Sequence, residues 1–125
     1  MIGWNIGVYR QSDGGARPAT VETSTGTRLA VWQTNVFGLR WIDNLAAERK
    51  AIDLGGNGYP NLYTATAEHL LPSILAIPPE ARDNWIIGEG TVDPAIWVGK
   101  TLIDETEARR CRFDEWLLVE AWDES

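Results

Sequence analysis

The chain contains one cysteine, Cys111, and one histidine, His69. A lone cysteine excludes an internal disulfide. A secreted domain of this size more often carries several, so a reducing, cytoplasmic setting is expected. One cysteine and one histidine cannot fill a structural zinc site, and no metal or cofactor is expected. No apolar run approaches the roughly 18 residues of a membrane span. The first residues lack the basic stretch and apolar core of a signal peptide, so no membrane association is expected. Positive charge is also scarce: 11 basic against 18 acidic side chains leave a net charge of −7. Gripping nucleic acid through its phosphates needs a basic surface, so direct nucleic-acid binding is not expected.

The 125 residues are 44% hydrophobic, enough for one core without staples. With no repeat, low-complexity run or linker, residues 1–125 are expected to form one globular domain. Seven tryptophans stand out: Trp4, Trp32, Trp41, Trp85, Trp97, Trp116 and Trp122. Large aromatics dominate cores and binding hot spots alike. Apolar periodicity points Trp4, Trp32 and Trp41 into the core; Trp85, Trp97 and Trp122 are less constrained. Five acids and no base fall in residues 113–125: Asp114, Glu115, Glu120, Asp123 and Glu124.

Ile2, Trp4, Ile6 and Val8 alternate with smaller or polar residues, the period of a strand with one apolar face. A turn follows at Asp13-Gly14-Gly15, and residues 28–33 form a second strand, with a short strand and turn open at 21–26. Thr34 or Asn35 can cap a helix of about four turns ending near Lys50. Its wheel gathers Phe37, Leu39, Trp41, Ile42, Leu45 and Ala46 on one arc. Asn57-Gly58 signals a type I′ hairpin of 51–56 with 59–64, pairing Gly56 with Tyr59 and Gly55 with Pro60. Thr66 can cap a second helix, in which Ala67, Leu70, Leu71, Ile74 and Leu75 share a face and Pro72 introduces a kink or split. Residues 84–88 read as a short strand. Asp93-Pro94 opens either a helical turn or, from Ala95 to Ile103, a strand. Asp104 and Glu107 suggest a capping box. In 116–122, Leu117, Val119 and Ala121 form an aliphatic face, while Trp116, Leu118, Glu120 and Trp122 form the other. The expected class is α+β: a mixed, mostly antiparallel sheet with two main helices packed on one face.

Candidate chemistry is sparse. Asp53, Gly55, Gly56 and Asn57, with Tyr63 beyond them, form a glycine-rich loop after a strand, where backbone amides can approach a phosphate. It has no phosphate-loop lysine and no helix after it, so turn geometry is the favoured account of its glycines. His69 lies on the polar side of its helix and reads as solvated. Any nucleophilic set must bring Ser12, Ser24, Ser73 or Cys111 to it. Asp104, Glu105 and Glu107 could hold magnesium, or simply charge a first helical turn. Arg109, Arg110 and Arg112 beside Cys111 could favour a thiolate, though an ordinary free thiol near solvated arginines is the favoured reading.

No motif identifies a family. In size and charge alone the chain resembles bacterial immunity proteins and phage-encoded inhibitors, which bind basic enzymes; that likeness transfers no residue. Two functions are therefore weighed. One is a non-catalytic interaction protein for a basic protein surface, with Glu120, Trp122, Asp123 and Glu124 as its contact residues. The other is a small enzyme or ligand-binding domain using the 53–63 loop with His69. A concave pocket containing Asp53 or His69 with convergent polar groups would favour the second.

Overall fold

The computed structural model describes residues 3–12, 15–18, 25–34, 37–75, 86–87 and 101–123. Along the chain they form β1 (Trp4–Gln11), β2 (Thr25–Gln33), α1 (Arg40–Ala47), β3 (Ile52–Gly56) and β4 (Asn61–Thr66). There follow α2 (Ala67–Ile74), β5 (Ile86–Ile87), β6 (Thr101–Ile103), α3 (Glu105–Arg109) and β7 (Trp116–Asp123). The strands make one sheet in the order β3-β4-β7-β1-β2-β6-β5. Six strands pair antiparallel, and β5 adds to β6 in parallel. The molecule is a predominantly β, α+β domain.

The last strand lies in the middle of the sheet. β7 pairs with β1 on one side and β4 on the other. Along Leu117–Val119 both faces of this strand are buried, whereas Trp122 near its end is exposed. Leu117, Leu118, Val119 and Ala121 are all fully buried. Cross-strand neighbours continue one face: Val119 beside Val8 and Tyr63, Val8 beside Ala30, Ala30 beside Ile103. Ile42 of α1 and Ala67, Leu70 and Ile74 of α2 join these residues and Trp32 in one buried cluster. Burying each such Leu, Ile or Val side chain is worth about 1.5–3 kcal/mol.

Several elements differ from expectation. α1 is two turns long, not four. Thr34 does not cap it; this residue is fully buried and bridges back to Trp4, its N–H donating to the Trp4 carbonyl at 2.8 Å. Phe37 therefore falls before the helix and is 54% exposed, beneath the Arg40 guanidinium at 4.6 Å. The helix stops at Glu48 because Arg49 takes a left-handed backbone, φ 63°. Arg49 N–H then donates to Ala46 O at 3.1 Å and Lys50 N–H to Leu45 O at 2.8 Å, a Schellman closure with arginine where glycine is usual.

The β3–β4 hairpin exists, but its loop is four residues, 57–60. Gly56 pairs with Asn61 and Gly55 with Leu62, with a bulge between Asp53 and Gly55. A type I′ turn needs positive φ at both central residues. Gly58 has it, φ 89°, and Asn57 does not. Asn57 Oδ1 instead accepts from Tyr59 N at 3.0 Å, and Asn61 Oδ1 accepts from Gly58 N at 2.8 Å. These side-chain bonds hold a wider loop that leaves Pro60 outside the ladder.

α2 runs as one element through Pro72. Its first amides are not capped by Thr66: Ala67 N donates to Glu115 O at 2.9 Å and Glu68 N to Phe113 O at 3.1 Å. Asp104 does cap α3, accepting from Glu107 N at 3.0 Å. Of the expected strand at 84–88, only Ile86 and Ile87 are described, and both are strand. Of 95–103, Thr101–Ile103 is strand. Of the short strand expected at 21–26, Thr25 and Gly26 are described and belong to β2; residues 13–14, 19–24, 35–36, 76–85 and 88–100, with the Asp13-Gly14 turn, the Asn35 cap, Trp85, Trp97 and the Asp93-Pro94 turn, lie outside the described residues.

Candidate functional site

The two surfaces that the sequence offered as rivals meet at one end of the sheet. β7 ends beside the β3–β4 loop, where Asp123 N donates to Gly58 O at 2.8 Å. That bond sets Tyr59, 57% exposed, next to a residue paired with the neighbour of Trp122, itself 41% exposed. Glu120 is half-buried on the same face of β7 as Trp122, and its Oε1 accepts from the indole Nε1 at 3.4 Å. Its charge also reaches Tyr9, whose phenol is pushed above its ordinary value by burial first and by Glu120 second. Asp123 is half-buried; Glu124 lies outside the described residues. This end of the molecule thus carries two exposed aromatics among carboxylates. Tyr59 had no place among the sequence candidates. Its signal was only the turn beside it, and nothing local tied that turn to the C-terminal strand.

Three amides of the glycine-rich loop are already engaged. Gly55 N donates to Asp53 Oδ1 at 2.8 Å, and the amides of Gly58 and Tyr59 are held by Asn61 and Asn57. Tyr63 is buried, its hydroxyl bonded to Asp43 Oδ1 at 3.1 Å. Burial first, then the Asp43 charge, hold that phenol above its ordinary value. Asp53 lines a cleft of about 510 Å³ with Arg17, Arg49, Lys50 and Trp116, and His69 does not.

His69 instead has a local role. Its Nδ1 shares a hydrogen bond with Thr66 Oγ1 at 3.2 Å, and its Nε2 lies 3.5 Å from Glu68 Oε1. A hydroxyl, an imidazole and a carboxylate in this order superficially match a nucleophilic triad. Such chemistry also needs amides aimed at an oxyanion. Two amides that follow Thr66 directly, Ala67 N and Glu68 N, are already bonded to the 113–115 segment. Ser73 Oγ donates to the His69 carbonyl at 3.4 Å, not to its ring.

The remaining candidates are explained by packing and pairing. Among the described residues no group of three or more His, Cys, Asp or Glu side chains is arranged to hold a metal ion. Asp104 caps α3, Glu105 meets Arg109 at 3.2 Å, and Glu107 meets Arg10 at 2.9 Å. The thiolate considered for Cys111 has no support: its pKa is pushed up to about 11, by burial first and by Glu115 next, with Arg10 opposing. The three flanking arginines do not help, because Arg109, Arg110 and Arg112 each face a carboxylate.

Among the described residues, no helix is long and apolar enough to cross a membrane. Comparison with protein-family models, with curated proteins and with solved structures finds no match for this chain.

Proposed function

We propose that the chain is a non-catalytic interaction protein that binds a basic protein surface through the Tyr59–Trp122 end of its sheet. One observation carries this: the Asp123–Gly58 backbone bond locks the hairpin loop to the last strand, placing two exposed aromatics among Glu120 and Asp123. Aromatics with a polar tip are efficient anchors, and acidic neighbours steer a basic partner. We read α1 and α2 as the layer over the sheet's Ile6–Val119 face; on the other face Leu118 is buried, and the docking surface is confined to the exposed end at Trp122. Glu124, which follows Asp123 in the sequence, is a further acidic candidate. The net charge of −7 disfavours nucleic acid as the partner. The other reading, an enzyme or ligand site using Asp53, Gly55, Gly56, Asn57, Tyr63 and His69, has less support, since those groups do not converge.

The test is affinity capture from the native source with wild-type protein, Tyr59→Ala and Trp122→Ala in parallel. A basic protein held by the wild type and lost from both variants is the expected result. Its association with Asp123→Lys/Glu124→Lys should then be slower and less salt-dependent, with folding unchanged. Equal retention by all variants would place the contact elsewhere.

A further inference from the structure

In a chain with 18 acidic and 11 basic side chains, most arginines can find a carboxylate. Arg17 and Arg49 have none among the described residues, and both line the same cleft of about 510 Å³, with Lys50 beside them. The local structure holds each of them there. Gln11 Nε2 donates both to Ala16 O at 2.6 Å and to Trp116 O at 2.8 Å, and Trp116 N donates to Gly15 O at 2.9 Å. These bonds pin the 15–18 segment against β1 and β7, with the Arg17 guanidinium over the Trp116 ring at 5.7 Å. Arg49 sits at the left-handed position that closes α1, φ 63°, a conformation a side chain bears at a cost. Lys50 follows directly, 3.3 Å from Glu48 on the exposed surface. The only acid among the described lining residues, Asp53, has one oxygen committed to Gly55 N. Ala46, Ala51 and Ile52 supply an apolar wall.

We infer that this cleft binds a small phosphorylated ligand, with Arg17, Arg49 and Lys50 around the phosphate. The site is independent of the Trp122 end, being built at the opposite end of β7. Two unpaired guanidiniums match a phosphate monoester, which carries about −1.5 to −2 charges at neutral pH. A single carboxylate would neutralise only one of them. Guanidinium forks suit phosphate oxygens bidentately, and stacking on Trp116 restricts Arg17 beforehand. The volume lies within the roughly 300–1,000 Å³ typical of small-molecule sites, so there is room for a sugar or nucleoside beyond the phosphate.

Calorimetric titration of the full chain with inorganic phosphate, adenosine monophosphate and glucose 6-phosphate tests this, with citrate as a carboxylate control at equal ionic strength. Saturable binding of at least one phosphate ester, tighter than citrate, is expected; which ester binds more tightly identifies the body of the ligand. Arg17→Gln and Arg49→Gly should each weaken it about ten-fold or more, as for loss of one charge-assisted hydrogen bond. Arg49→Gly is the cleaner variant: glycine accepts the same backbone conformation, so its melting temperature should hold or rise while binding falls. Trp122→Ala should bind as the wild type does. No saturable binding of any phosphate probe, citrate binding as tightly as the esters, or undiminished binding in Arg49→Gly would each overturn the assignment.

Discussion

Arg10 on β1 grips Glu115, 105 residues further along the chain, with two prongs: Nε to Oε2 at 2.8 Å and Nη2 to Oε1 at 3.0 Å. Its remaining Nη1 reaches Glu107 at 2.9 Å. Glu115 is only 3% exposed, so its charge depends on this partner. The Arg10 hydrogen bonds, aided by Arg112 N–H and opposed by burial, hold the Glu115 carboxyl below the usual carboxylate range. Since the folded value is depressed, the stabilisation is complete above the ordinary glutamate value of about 4.3 and is lost as pH falls through the folded value. Glu115→Gln should cost about 2–3 kcal/mol at neutral pH, less than for a wholly buried pair because Arg10 stays partly hydrated. It should also flatten the acid limb. Urea melts from neutral pH to about pH 2 check this, and parallel limbs for the two proteins would refute it.

Cys111 should behave as a sluggish thiol. With its pKa pushed up to about 11 by burial and by Glu115, little thiolate exists near neutral pH. Iodoacetamide should label it more slowly than a free cysteine, with a rate still climbing above about pH 9. A rate that levels off at or below the ordinary thiol value would show an exposed, activated thiolate instead.

Trp32 and Trp41 pack with ring centroids 5.8 Å apart at 45°, yet their burdens differ. Trp32 is fully buried, whereas Trp41 is half-buried and its shielded Nε1 has no acceptor among the described residues. Trp32→Ala should lose about 3–5 kcal/mol. Trp41→Ala should lose less. Trp41→Phe should lose under about 1 kcal/mol, because the smaller ring also removes an unsatisfied donor. Denaturant titration gives all three, and a larger loss at Trp41 than at Trp32 would contradict the packing described.

Gly58 joins the hairpin to the sheet centre through its carbonyl. A β-carbon there would meet Asp123 Cβ at 3.4 Å, an ordinary contact, so the obstacle to substitution is φ 89° alone. Gly58→Val should therefore cost about 1–2 kcal/mol, as for a branched residue forced into left-handed backbone. Because Gly58 does not line the Arg17–Arg49 cleft, phosphate binding in that variant should match the wild type. Thermal melts and the same calorimetry decide both points.

Local order was legible in the residues themselves. Ile6 and Val8 alternate, Leu70 and Ile74 recur at helical spacing, Leu117, Val119 and Ala121 alternate, and Asp104 stands three before Glu107. Each pattern depends on neighbours within a turn or a few strand residues, and each element formed. Patterns failed where a distant partner outbid the local one. Thr34, a plausible cap, was drawn into a bridge with Trp4, which shortened α1 and turned Phe37 outward. Asn57 and Asn61 used their side chains to hold a wider loop than two-residue turn chemistry suggests. Strand order lay wholly beyond local reading. That β7 sits between β1 and β4 decides that Glu115 meets Arg10, that Asp123 meets Gly58, and that Trp116 walls a cleft with Arg17 and Arg49. Local periodicity sets which face of a segment is apolar; only the search of each strand's backbone groups for partners across the whole chain sets which segments stand side by side.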